Sequence, residues 1–162
     1  MNIPVRYLPK VLTRKDIKRQ RRELKRSRAA YKKGKYITRK KVKSFSSKKS
    51  DHIKRVEKMY SLKNFRLDKS LSKQTKCKLA GLKKIMKKGQ GAYFSSGSRP
   101  NQTAHSWGYA RLASSITGGK ASAVDNHILE EYCDKNSRAL KLSRKAIKRF
   151  KHGTRRVPKV KL

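Results

Sequence analysis

The run from Gly89 to Thr103, GQGAYFSSGSRPNQT, holds the residues best suited to grip an anion. Ser96, Ser98 and Arg99 lie in a polar loop that leads to Thr103, a natural helix N-cap. Backbone N–H groups at a helix start, hydroxyls and one guanidinium together suit a single phosphate or sulfate. The loop lacks the GKS or GKT ending of a P-loop, so nucleotide hydrolysis is not indicated. The competing reading is an ordered connection whose hydroxyls bond their own backbone.

Other groups near this loop in sequence are His105, His127, Asp125, Glu130 and Glu131. His127 and Glu131 stand four apart on one helical face, a spacing used by pairs of metal ligands, but Cys133 does not complete a set and no third ligand follows. No metal and no cofactor are expected. The remaining enzymatic reading makes His105 or His127 a general base for phosphodiester cleavage, with Arg99 stabilising charge. Nothing in the sequence demands it, and a non-enzymatic protein is the expectation.

Charge supports that expectation. The 162 residues contain 48 Lys and Arg against nine Asp and Glu, a formal net charge of +39. Such a chain repels itself unless an anionic partner neutralises it, and nucleic acid is the usual partner, with an anionic membrane face or acidic protein surface as the alternatives. A hydrophobic content of 35% predicts a core well short of the whole chain. No apolar run is long enough to span a bilayer, and the first 30 residues are too charged for a signal peptide. Cys77 and Cys133 form neither a CxxC pair nor a disulfide framework, and are expected as small buried thiols in a reducing compartment.

The elements that must position these groups read as mostly α: a small helical core of about six helices with extended basic N- and C-terminal arms. Residues 1–12 contain Pro4 and Pro9 and form an extended arm, with Tyr7 and Leu8 as anchors. Residues 13–88 are a basic helical region. Its first helix has Thr13 as N-cap, Asp16 in a capping-box position, Gly34 as its stop, and Ile17, Leu24 and Tyr31 as a thin apolar seam. Residues 35–49 are read as an extended basic segment. Ser50 and Asp51 cap the next helix, and 61–88 resemble two short helices around a tight turn, the outline of a helix-turn-helix, ending at Gly89.

Residues 89–134 form a near-neutral central core, where Arg99, Arg111 and Lys120 meet Asp125, Glu130, Glu131 and Asp134. Trp107, Tyr109, Leu112, Ile116, Ile128 and Tyr132 are its expected interior, Gly118-Gly119 breaks its main helix, and Ser122 to Asp125 reads as a capping box. Residues 135–153 form a basic helix and 154–162 a basic extended tail. Phosphate contacts are expected from Arg19, Arg21, Arg22, Arg39, Lys40, Lys41, Arg155 and Arg156, with Arg99 the best single site in the centre.

Several phrases, YLPKVLTRKDIKRQ, YKKGKYITRKKVKSF, GAYFSSGSRPNQTAHSWGYARLASSITGGKASAVDNHIL and GTRRVPKVKL, together resemble a family of small basic proteins encoded by large nucleocytoplasmic DNA viruses. The resemblance covers nearly the whole chain and supplies no active site. It implies a virion structural protein, a minor capsid or core component. Its basic arms would contact viral capsid proteins, anionic inner-membrane lipids or packaged DNA, in the virion and, during assembly, in the host cytoplasm or nucleus. The alternative is a DNA- or RNA-binding protein acting in genome compaction or expression.

Overall fold

The computed structural model describes residues 1–153 and 157–162. The described residues are mostly α-helical, as expected, with eight α-helices and one two-stranded sheet. They form two compact units, one of residues 1–48, 90–107 and 157–162, the other of 49–89 and 108–153.

In the first unit the two chain ends are strands. β1 (Asn2–Pro4) pairs antiparallel with β2 (Lys159–Lys161), setting Ile3 opposite Val160. The tail therefore has a partner within the chain itself. Tyr7 and Leu8 are anchors as the sequence indicates: with Ile3 and Leu24 they form a small apolar cluster, against which Trp107, Val160 and Leu162 pack. Trp107 meets Tyr7 edge-to-face with ring centroids 5.9 Å apart, so it belongs to this cluster and not to the one containing Leu112 and Ile116.

α1 (Arg14–Lys32) begins at Thr13, whose hydroxyl accepts the Asp16 N–H at 3.3 Å. The helix ends in a Schellman turn: Lys35 N–H donates to Ala30 O and Gly34 N–H to Tyr31 O, with Gly34 at φ +71° where a side chain would be strained. The buried face of α1 differs from the apolar seam of Ile17, Leu24 and Tyr31. Leu24 is buried, but its buried companions are Asp16, Gln20, Glu23 and Ser27. A helix with mostly polar groups inward must satisfy each of them.

The second unit has an apolar interior. α2 (Asp51–Met59) is capped by Ser50, α3 (Lys69–Thr75) by Asp68, and α8 (Arg138–Phe150) by Ser137, each cap contributing about 1 kcal/mol. α3 and α4 (Leu79–Ser95) flank a turn in which Lys76 is left-handed. α4 does not stop at Gly89; it continues through Gly91 to Ser95. α5 (Ala104–Ile116) ends before Gly118, and α6 (Lys120–Val124) and α7 (Asn126–Tyr132) follow. Val56, Tyr60, Leu71, Leu82, Ile85, Leu112, Ile116, Ile128, Leu129 and Leu140 form the core, with Tyr109 and Tyr132 packed against it.

Two expectations fail here. Cys77 and Cys133 are joined in a disulfide across 56 residues of sequence, and the same two residues form an antiparallel bridge, flanked by Lys78 N–H to Tyr132 O and Asp134 N–H to Lys76 O. Their separation in sequence hid a contact that tertiary packing creates. Asp125 makes no cap bond; its carboxylate is fully buried and clamped by Arg111, through two hydrogen bonds of 2.7 and 2.9 Å, by Lys88 at 2.8 Å and by Ser115 at 2.9 Å. Ser122 lies inside α6. Burial pushes the Asp125 carboxyl up, and the hydrogen bonds and charges of Arg111 and Lys88 reverse this to a net lowering.

Candidate polyanion interface

The buried polar face of α1 holds residues 39–44 of the first unit in place. These residues have no neighbouring strand, and side chains supply the missing partners. The Arg39 N–H donates to Tyr93 Oη at 3.0 Å, Lys40 N–H to Glu23 Oε2 at 2.9 Å, Val42 N–H to Asn101 Oδ1 at 2.8 Å and Ser44 N–H to Asp16 Oδ2 at 2.8 Å. Asn101 Nδ2 returns bonds to the carbonyls of Val42 and Phe45. The Ser44 hydroxyl and N–H hold the Asp16 carboxyl below its ordinary range.

Arg39 was expected to face a polyanion, and the structure places it inside, at 7% exposure. Its guanidinium donates to Ser27 Oγ at 3.1 Å, Tyr93 O at 2.8 Å and Ser98 Oγ at 2.6 Å, and lies 3.6 Å from the Tyr93 ring centroid. Burial lowers its pKa, and Tyr93, Tyr7 and Glu23 act in the opposite sense. A planar fork of donors meets three acceptors and an aromatic face at once, which a lysine cannot do. The guanidinium is thus consumed by the fold.

The neighbouring cations are outside. Lys40 and Lys41 are exposed, as is Arg22, whereas Arg19 and Arg21 are half-buried and donate to the carbonyls of Lys41 and Lys161. Arg155 and Arg156 lie outside the described residues. Along α1 the outward positions Arg14, Lys15, Lys18, Arg22, Lys25 and Lys32 are all basic and exposed. Arg26 is exposed too and reaches Glu23 at 3.4 Å. The unit contains only two acidic side chains, Asp16 and Glu23, exposed at 6% and 3%. Its surface therefore presents no acidic side chain to oppose the cations.

The loop before α5 is divided. Ser98 is fully buried; its hydroxyl accepts from Arg39 and donates to Arg99 O at 2.8 Å. Thr103 Oγ1 accepts the Ser106 N–H at 3.0 Å, and Ser106 Oγ in turn accepts the Thr103 N–H at 3.0 Å. This reciprocal cap uses the groups that would otherwise meet an anion. Ser96 and Arg99 remain exposed, whereas the Ser98 and Thr103 hydroxyls are engaged within the fold.

His127 and Glu131 are exposed, and Glu131 pairs with Lys84 at 3.8 Å. Among the described residues no group of three or more His, Cys, Asp or Glu could hold a metal ion, and no helix is long and apolar enough to cross a membrane. The sequence reading passed over His52, whose Nδ1 is buried without a hydrogen-bond partner and whose pKa is lowered by burial and by Arg55.

It also missed Asp16 and Glu23 as the groups that hold the segment carrying Lys40 and Lys41. The signal was available: these are the only two acids in the first 50 residues, seven apart on one helix. No curated protein and no solved structure matches the chain. A protein family does match, over residues 4–138 and thus well over half of the length, and the chain belongs to that family, the family of unknown function DUF5824.

Proposed function

We propose that the protein is a non-enzymatic, nucleic-acid-binding structural protein, in which a folded scaffold presents basic faces to a phosphate backbone. The observation that carries this reading is the outward face of α1. Its 19 residues extend about 28 Å at 1.5 Å per residue, its exposed positions are almost all Lys or Arg, and no exposed acidic side chain of the same unit interrupts the field. Duplex DNA carries one charge per ~1.7 Å of axis, so such a face meets many phosphates at once. Lys40 and Lys41 extend the basic surface from a backbone that is pinned beforehand, which lowers the ordering cost of binding.

In the virion setting that the viral resemblance implies, the partner is the packaged genome, and the protein acts as a minor capsid or core component. The test is binding of the full chain to duplex DNA and to anionic vesicles over a salt series. Each neutralised phosphate contributes roughly −0.9 to the log–log slope. Replacing Arg22 and Lys25 together by Glu is expected to make the duplex slope shallower by about 2. An unchanged slope and affinity in that variant, or vesicle binding that exceeds duplex binding at every salt concentration, would refute the reading.

A further inference from the structure

Tyr36 is the large aromatic side chain most open to solvent among the described residues, at 68% exposure. It follows directly on the Schellman turn that closes α1, in which the Gly34 and Lys35 N–H groups bond back to the helix. Its ring is braced by two others. Tyr31 and Phe94 lie nearly parallel, 4° apart with centroids at 6.5 Å, and Tyr36 stands crosswise to both, at 5.9 Å and 73° from Tyr31 and 5.2 Å and 75° from Phe94. Phe94 in turn meets Tyr93, which is fully buried, at 5.0 Å and 90°. The cluster is therefore anchored in the interior at one end and open at the other.

Lys32, Lys33 and Lys35, the sequence neighbours of Tyr36 on the turn, are all exposed. The Tyr36 ring is thus left mostly in water while three aromatic neighbours hold the cluster in place. Rimmed by cations, with no exposed acidic side chain in the unit, it suits a ligand with flat rings joined by phosphates.

We infer that Tyr36, braced by Tyr31 and Phe94, is a stacking platform for an unpaired base of single-stranded nucleic acid, whose flanking phosphates meet Lys32, Lys33 and Lys35. This rests on the nucleic-acid-binding reading above and adds to it a preference for unpaired strands at one site. Bases within a duplex are already stacked on each other and offer no free face, whereas an unpaired base stacks on an aromatic ring irrespective of its identity.

The test compares the full-length protein with Tyr36→Leu, which keeps apolar bulk against Phe94 and Tyr31 but has no π face. Ligands are an oligothymidylate, the same backbone with abasic sites, and a duplex of equal length, at one salt concentration. Stacking is worth about 1–3 kcal/mol per base, so Tyr36→Leu is expected to weaken oligothymidylate binding roughly 5- to 140-fold. Duplex affinity stays unchanged, and Tyr36→Trp binds the oligothymidylate at least as well as the native protein. The native protein is expected to lose affinity by a similar factor on the abasic strand, a readout that does not depend on any variant folding.

Equal binding of oligothymidylate by native and Tyr36→Leu proteins overturns the platform while leaving the duplex reading intact. So does a loss shared equally with the duplex. If the native protein binds neither strand form, the nucleic-acid reading itself falls.

Discussion

The two units keep their interiors in opposite ways. The unit containing α1 has a small apolar cluster and a polar interior, in which Asp16, Gln20, Glu23, Ser27, Arg39 and Ser98 bind one another and the backbone of residues 39–44. The unit containing α8 has a continuous apolar core, one buried ion cluster at Asp125 and one disulfide. Non-directional burial tolerates small displacements, whereas hydrogen bonds to a strand-less segment hold only one arrangement. The first solution fixes where surface cations stand; the second supplies stability without specifying the surface.

In the second unit the most damaging single change is at Asp125. Asp125→Ala leaves Arg111 and Lys88 facing an empty buried site and is expected to cost about 3–5 kcal/mol, read as a lower urea midpoint with unchanged m. A cost below about 1 kcal/mol would show that the Asp125 cluster adds little to the second unit. Next comes the cross-link. Replacing Cys77 and Cys133 together by Ser, or adding reductant to the native protein, should cost about 2–4 kcal/mol through the longer loop freed in the unfolded chain. On a non-reducing gel the native chain should run as the more compact species, and identical mobility with and without reductant would exclude the bond.

In the first unit, Arg39→Met removes the donor to the Ser27 and Ser98 hydroxyls and the Tyr93 carbonyl, with an expected loss of about 2–4 kcal/mol and faster amide exchange at Lys40, Val42 and Ser44. Slow exchange in that variant would mean that Asp16, Glu23 and Asn101 suffice. Gly97→Ala sharpens the same point on the apolar side. Gly97 has φ +94°, and a Cβ there would lie 2.7 Å from Leu24 Cδ2 and 3.4 Å from the Tyr7 ring. The expected cost is about 1–3 kcal/mol, and a variant as stable as the native protein would show that the Ile3–Tyr7–Leu24 cluster yields easily.

The smallest effect is acid sensitivity. Asp16 and Asp125 are both held below the ordinary carboxylate range. A depressed carboxylate stabilises the fold fully above its unfolded value, ~3.9, and that stability is lost as pH falls through the folded value. The melting temperature should therefore drop below about pH 4, after a smaller decline from about pH 7 to 5 as the unfolded chain protonates His52, whose pKa the fold lowers. Asp16→Asn should flatten part of that drop, and an unaltered profile would remove Asp16 from the account.

Sequence patterning revealed the second unit better than the first. Ser50 as a cap, the turn after α3, the glycine break after α5 and the apolar faces of α5, α7 and α8 all follow from spacing and local hydrogen bonding. The end of α4 did not, because Gly89 and Gly91 weaken a helix without forbidding it and the following Ala92, Tyr93 and Phe94 carry it on. In the first unit, apolar periodicity marked Leu24 but could not reveal that polar neighbours share its face. A buried Asp or Glu looks like a surface one until its partner is known, and the partners lie 28 and 17 residues away, at Ser44 and Lys40. Arg39 was misread for the same reason: charge clustering marks cations but does not separate the buried one from its exposed neighbours.

The assignment of the few acids to structural duties has a consequence for how such a chain drifts. Asp16, Glu23 and Asp125 are buried partners, Asp68 is a cap, and Glu57 bonds Lys49 and the Phe65 N–H. Exchanges between Lys and Arg over the exposed face of α1 leave every one of these bonds in place. Loss of a single one of those acids breaks a bond that no other residue replaces. Among related chains the rare negative positions should accordingly stand fixed in register while the abundant positive ones trade places around them, so that descent is traced most clearly by the residues whose sign opposes the whole.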